Sequence, residues 1–86
     1  MPPENEITRD DVLALVRSTV LDVLTDVPPS EVVPERSLRD LGANSLDRMD
    51  ITVTVIEELG LPVDPADLTA ADSIGALVDL LHGRLR

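Results

Sequence analysis

The sequence has 86 residues, 43% of them hydrophobic, and its seventeen acidic residues against seven basic ones give a formal net charge of −10. A chain this short can bury one core but not two, so we predict a single domain over residues 1–86, with residues 1–6 as a flexible tail. The acidic balance and the absence of Phe, Tyr and Trp argue against nucleic-acid and anionic-membrane partners and favour a protein partner with a basic surface.

Cysteine is absent, which excludes disulfides, thiolate metal ligands and cysteine nucleophiles, so any thiol chemistry would need an acquired group. The N-terminal MPPENEITRD has no apolar signal segment, and no later run reaches the length of a membrane span. We therefore expect a cytoplasmic protein, and a monomer.

A first helix is predicted from about residue 8 to residue 25. Thr8 followed by Asp11 resembles a capping arrangement. Apolar residues recur at helical spacing after it, namely Leu13, Val16, Val20, Val23 and Leu24. Pro28 and Pro29 end the helix.

Residues 26–44 form a long connection that contains three prolines. Within it, Val33, Leu38 and Leu41 are spaced as anchors that would hold a loop against a core, with one short turn near residues 35–39. A connection of this length in a small domain is often functional.

A second helix is predicted from Ser45 to Leu59, where Gly60 provides a stop and Pro62 bars continuation. Residues 64–68 suit a short third helix, and Asp72 or Ser73 caps a last helix. The apolar stripe of that last helix consists of Ile74, Leu77, Val78, Leu81 and Leu85. The sequence therefore predicts an all-α fold, a small four-helix bundle with a long loop between helices 1 and 2 and a short third helix.

The second helix carries two apolar stripes that lie nearly opposite each other on a wheel of about 100° per residue. The stripe predicted to face the core consists of Ile51, Val55 and Leu59. The other is predicted to be an exposed docking surface and consists of Leu46, Met49, Val53 and Ile56, bordered by the acids Asp50 and Glu57. A helix central to a tight bundle would instead bury both stripes.

Ser45 stands at the start of this helix, beside the second stripe, and the residues allow three interpretations. Ser45, or Asn44 before it, is a helix N-cap. A catalytic nucleophile is disfavoured because the only histidine, His82, lies near the end of the last helix and a G-x-S-x-G turn is missing. The third interpretation is an exposed serine that another protein modifies.

The run LGANSLDRMDI, residues 41–51, resembles the prosthetic-group attachment motif of acyl carrier proteins, usually Gly-x-Asp-Ser-Leu followed by an acidic amphipathic helix. The resemblance extends over almost the whole chain. It implies a bundle of the acyl-carrier-protein type that catalyses nothing itself. It also implies that a phosphopantetheinyl transferase attaches 4'-phosphopantetheine from coenzyme A to Ser45, and that acyl groups are carried on this arm as thioesters.

The resemblance also assigns a partner-binding surface. Positions through which carrier proteins meet their enzymes are matched by Leu46, Met49, Asp50, Val53 and Glu57. Ile56 stands where many members have an acid, which suggests a more apolar patch. Asn44 stands where the family usually has Asp, and this change either slows priming by the transferase or is neutral.

The shorter run GANSLDR is similar to free-standing carriers of polyketide β-branching cassettes. This implies an acetyl or malonyl cargo and three kinds of partner besides the transferase: an acyltransferase, a ketosynthase-like decarboxylase and a hydroxymethylglutaryl-synthase-like enzyme. Arg48, Met49, Val53 and Ile56 would then distinguish donor from acceptor carrier. The alternatives are an aminoacyl or peptidyl carrier, a fatty-acid carrier, or an unmodified helical adaptor for a basic partner.

Overall fold

Three α-helices and two short 3₁₀ helices form the regular structure of the chain in a computed structural model, which describes residues 7–68, 71 and 73–85. The helices are α1 (Arg9–Val23), α2 (Ser45–Leu59) and α3 (Ile74–Gly83). The 3₁₀ helices are Pro29–Glu31, in the long loop, and Pro65–Leu68, which is the predicted short third helix. The all-α prediction is confirmed, whereas the predicted tail at residues 1–6 and the alternative cap Asp72 lie outside the described residues.

Helix α1 begins at the predicted capping box. The Asp11 backbone N–H donates to Thr8 Oγ1 at 3.1 Å, and the Thr8 N–H donates to Asp11 Oδ2 at 3.0 Å. Hydrogen bonding to the Asp11 carboxyl, from the Thr8 backbone first and from the Thr8 side chain second, holds its pKa below the usual value. The buried residues of the helix are Val12, Val16, Thr19 and Val20. Of the predicted apolar positions, Val16 and Val20 are buried, whereas Leu13, Val23 and Leu24 are half-buried.

The long loop is fastened to α1 by one arginine. Arg17 donates from Nε to the Val32 carbonyl at 3.0 Å and from Nη2 to the Pro29 carbonyl at 3.1 Å. Val32 is fully buried, so the prediction that Val33 is the anchor is wrong by one residue. The reason is the 3₁₀ turn at Pro29–Glu31, after which Val32 meets the core. The predicted anchors Leu38 and Leu41 do pack against the core.

Helix α2 ends where the sequence predicts. Gly60 adopts the left-handed conformation, with φ of 65°, and its N–H donates to carbonyls of the last turn. The Leu61 N–H completes the C-terminal cap of the helix by donating to the Ile56 carbonyl at 3.2 Å. A residue with a Cβ would be strained at this φ, so glycine fixes the end of the helix.

Helix α3 is capped by Ser73, whose Oγ accepts from the Ala76 N–H at 3.0 Å. Four members of its predicted stripe, Ile74, Leu77, Val78 and Leu81, are buried, while Leu85 lies beyond the helix and is half-buried. Helix α1 packs against both α2 and α3, so the buried aliphatic side chains form one shared core. No helix in the described part of the chain has the length and hydropathy that crossing a membrane requires.

An ion pair on the surface joins the start of α1 to α3. Arg9 donates from Nε to Asp79 Oδ1, and both side chains are largely exposed. The hydrogen bond from Arg9 lowers the pKa of the Asp79 carboxyl, and the same contact raises the pKa of the Arg9 guanidinium.

Candidate functional site at the start of α2

Ser45 is the first residue of α2 and is exposed, while the helix cap is its neighbour Asn44. Asn44 Oδ1 accepts from the Asp47 N–H at 2.8 Å, and Asp47 Oδ2 accepts from the Asn44 N–H at 3.3 Å. This reciprocal capping box satisfies the helix start without the serine. Of the two N-caps that the sequence allowed, Asn44 is confirmed and Ser45 is wrong, so the Ser45 hydroxyl has no capping role.

The residues before Ser45 are fixed by burial and by a backbone hydrogen bond within the loop. Leu41 and Ala43 are both buried, and the Ala43 N–H donates to the Leu38 carbonyl at 3.0 Å. Gly42 between them has φ of 92°, a conformation that favours glycine. The chain thus turns sharply with an apolar residue seated on each side of the glycine, which presents the next residues, Asn44 and Ser45, to solvent.

A charged side chain lies beside the serine hydroxyl. Arg48, one turn further along α2, donates from Nη2 to Ser45 Oγ at 3.3 Å. His82 lies in the last turn of α3, whereas Leu77, the residue of α3 that lines a cleft together with Ser45, belongs to its first turn. His82 is therefore not placed to activate the serine as a general base.

The predicted docking surface is present in part. Leu46 is 80% exposed and Met49 is 49% exposed, which makes them the large apolar side chains most open to solvent among the described residues. Asp50 and Glu57 on the same helix are exposed as well, and Val53 is half-buried.

The exposure expected of Ile56 is wrong, since this side chain is only 7% exposed and belongs to the core cluster. On the wheel Ile56 lies only roughly 60° from Leu59, at the margin of the core-facing stripe. In this small domain the core therefore covers Ile56 as well as the predicted stripe. The docking surface is therefore shorter than predicted and consists of Leu46, Met49 and the edge of Val53.

A cleft of about 560 Å³ opens beside Ser45 and was not predicted. One part of its lining comes from loop residues 37–40 and from α2, through Ser45, Arg48, Met49 and Thr52. The rest comes from the following segments, through Pro65, Leu68, Ala71, Ser73 and Leu77. Sequence reasoning missed Arg39, which lines the cleft together with Arg48. Its place depends on the path of the loop, for which the sequence offers no local signal.

The surroundings of Ser45 fit an anionic group attached through the hydroxyl. The residue is exposed, the helix start supplies the positive end of a backbone dipole, and a guanidinium lies within reach of the oxygen. A metal would find no comparable set, because the described residues hold no group of three or more His, Asp or Glu side chains suited to binding one.

Comparison with known proteins gives a family match over residues 14–81, to the family described as "Phosphopantetheine attachment site". The chain is 34% identical over 79 residues to an acyl carrier protein of Thermotoga maritima, which covers 91% of this chain and 96% of that protein. It is 28% identical over 75 residues to the polyketide biosynthesis acyl-carrier-protein AcpK of Bacillus subtilis, covering 87% and 92% of the two chains. A meromycolate extension acyl carrier protein of Mycobacterium leprae is 27% identical over 77 residues, covering 88% and 66%. No solved structure gives a significant match.

Proposed function

Because the chain belongs to the acyl carrier protein family, whose members carry phosphopantetheine and are not enzymes, we propose that Ser45 is its attachment residue and that it delivers an acetyl or malonyl group in polyketide biosynthesis. One observation carries the proposal. Ser45 is exposed, and its hydroxyl is not used as the helix cap because Asn44 caps α2. It lies beside the exposed side chains Leu46 and Met49. Whatever is attached to Ser45 therefore emerges next to a surface suited to enzymes that act on it.

Attachment is a group transfer in which Ser45 supplies only an oxygen. A bond forms between Ser45 Oγ and the phosphorus of coenzyme A that bears the pantetheine. The bond from that phosphorus to the bridging oxygen of the pyrophosphate breaks, adenosine 3',5'-bisphosphate leaves, and the hydroxyl proton passes to a base of the transferase. Once bound, the group supplies the thiol that this cysteine-free chain lacks.

The transferase and the acyl-handling partners would meet α2 along the face that carries Leu46 and Met49. Leu46 and Met49 supply apolar anchors, and Asp50 and Glu57 supply negative charge that attracts a basic enzyme surface. Asp and Glu on the rim chiefly raise the association rate and fix orientation, whereas the apolar anchors set the lifetime of the complex.

Two observations support the polyketide role. The run GANSLDR is similar to that of free-standing carriers in β-branching cassettes, and one relative is a polyketide carrier by its name. In that role the protein receives malonyl from an acyltransferase, a ketosynthase-like partner decarboxylates it to acetyl, and a hydroxymethylglutaryl-synthase-like enzyme takes the acetyl group. Arg48, Met49 and Val53 are the residues through which that enzyme would tell donor from acceptor carrier.

The first experiment is intact-mass measurement before and after incubation with coenzyme A and a broad-specificity phosphopantetheinyl transferase. The wild type should gain one phosphopantetheine and Ser45→Ala none. Ser37→Ala is the matched control, because Ser37 lines the same cleft and should leave the gain intact. Absence of any gain with several transferases would overturn the carrier proposal and favour an unmodified helical adaptor.

The cargo and partner are tested separately on the loaded protein. Incubation with candidate acyltransferases and with adenylating enzymes distinguishes an acyl carrier from an aminoacyl carrier by the thioester formed. Arg48→Glu and Met49→Asp should weaken binding of the synthase-like enzyme while the fold, followed by circular dichroism, stays intact. Unchanged binding of both variants would count against the donor role.

A further inference from the structure

Arg48 differs from the chain's paired arginines in what it contacts. In the described part of the chain Arg9 pairs with Asp79 and Arg36 with Glu31, whereas Arg48 has no carboxylate partner. Its hydrogen-bond partner is the neutral Ser45 hydroxyl, at 3.3 Å from Nη2. The side chain is half-buried and lines the cleft, so it is held in place and does not extend freely into solvent.

In the unmodified protein the charged guanidinium of Arg48 is paired with a neutral hydrogen-bond acceptor. Acids outnumber basic residues by seventeen to seven, yet this guanidinium is directed at an uncharged oxygen. A guanidinium makes its strongest hydrogen bonds with carboxylate or phosphate, which it can bind through two N–H groups at once. The charged partner would be supplied if the hydroxyl became part of a phosphate ester.

Resting on the proposed function, we propose that Arg48 binds the phosphodiester attached to Ser45 and thereby fixes the root of the prosthetic arm at the mouth of the cleft. The non-bridging phosphate oxygens lie only two bonds from Oγ, within reach of a side chain already in contact with that atom. The residues lie three apart, so their side chains share one face of α2. The N-terminal dipole of α2 adds to the attraction.

Arg48 is on this view a positioning residue that takes no part in chemistry. The arm leaves the protein in a restricted direction, along the cleft between loop residues 37–40 and the start of α3. Replacing the guanidinium would free the arm without changing how much of it is attached. A purely structural role of Arg48 would instead affect the apo and holo proteins equally.

The test compares apo and holo protein, with conversion followed by intact mass, by two NMR measurements. In ¹⁵N spectra of the arginine side chains, the Arg48 Nε–Hε signal should move downfield on conversion in wild type and stay in place in Ser45→Ala. In ³¹P spectra of holo protein, the phosphodiester line should become narrower in Arg48→Gln, as the arm gains mobility, and Arg48→Lys should recover part of the wild-type width. Arg84→Gln is the control, because Arg84 is exposed at the end of α3, away from the residues that line the cleft, and should leave both signals unchanged.

The outcomes separate the two proposals. Full conversion by mass with an unmoved Arg48 signal and equal ³¹P line widths in wild type and Arg48→Gln would overturn the role of Arg48 and leave the carrier function standing. Failure of Ser45 to gain the group would overturn both.

Discussion

The Gly75 backbone N–H donates to the Pro34 carbonyl at 2.9 Å, which seats the long loop directly on the first turn of α3. The neighbouring Ile74 N–H donates to the Arg36 carbonyl at 2.8 Å. Two N–H groups at the start of a helix, which have no partner within it, are thus satisfied by the loop. This junction immediately precedes residues 37–40, the loop wall of the cleft beside Ser45.

Gly75→Ala should destabilise the protein, because a Cβ at residue 75 would lie 3.2 Å from both Cβ and O of Pro34. Overpacking of this kind costs about 1–3 kcal/mol, and the better helix propensity of Ala offsets up to about 1 kcal/mol of that. We expect a net loss of about 1 kcal/mol in urea denaturation. Gly83→Ala is the matched control, since no atom lies within 4 Å of its added Cβ, and it should be neutral or stabilising. Equal effects of the two substitutions would contradict the seating of the loop on α3.

Asn44→Ala should destabilise the start of α2, since it removes the acceptor of the Asp47 N–H. The expected loss in the free energy of unfolding is about 1 kcal/mol, within the usual range of about 0.5–2 for an N-cap. Asn44→Asp keeps the acceptor and places a negative charge at the positive end of the helix, so its stability should match the wild type within about 0.5 kcal/mol. A stability of Asn44→Asp as low as that of Asn44→Ala would show that the capping box is not the stabilising feature. Priming rates of the same variants decide whether the missing charge slows the transferase.

Helix ends and the Ser45 motif could be predicted from the sequence because their signals are local. The Thr8 box, Gly60 and the cap before Ile74 each act within a few residues, and the structure has helices α1, α2 and α3 where these signals place them. The exposure of Leu46 and Met49 also followed from the wheel, because both lie far from the core-facing stripe.

Features that depend on tertiary packing could not be predicted in the same way. Val32 instead of Val33 meets the core because of a 3₁₀ turn that no motif in the sequence specifies. Ile56 is buried because the core surrounds more of α2 than a single stripe. The cleft joins Arg39 with Arg48 only through the folded path of the loop.

Stability should fall in acid partly through the ion pair between α1 and α3. The hydrogen bond from Arg9 lowers the folded pKa of Asp79 below the usual value of an aspartate, about 4, so the pair stabilises the fold above that pH. The contribution is lost as the pH falls from about 4 through the lowered pKa, where Asp79 takes up a proton in the folded state as well. Asp79→Asn should therefore flatten the decline of stability in that window, followed by urea denaturation at a series of pH values.

Arg9→Gln is the control for this effect, because it removes the guanidinium that lowers the pKa of the Asp79 carboxyl. The two single variants and the double variant should show the same shallow acid dependence. Additive effects of the two substitutions would mean that the carboxyl and the guanidinium act independently.

Met49→Asp and Ile56→Ala should separate partner binding from folding on the same helix. Met49 is 49% exposed, so the substitution should change the free energy of unfolding by no more than about 0.5 kcal/mol, whereas it removes an anchor and adds a charge to the docking surface. Ile56 is buried in the core, and its truncation should cost about 2–5 kcal/mol. Binding to a phosphopantetheinyl transferase, measured by calorimetry at a temperature where both variants are folded, should weaken about tenfold for Met49→Asp and remain near wild type for Ile56→Ala. The reverse order would place the recognition surface on another face of the domain.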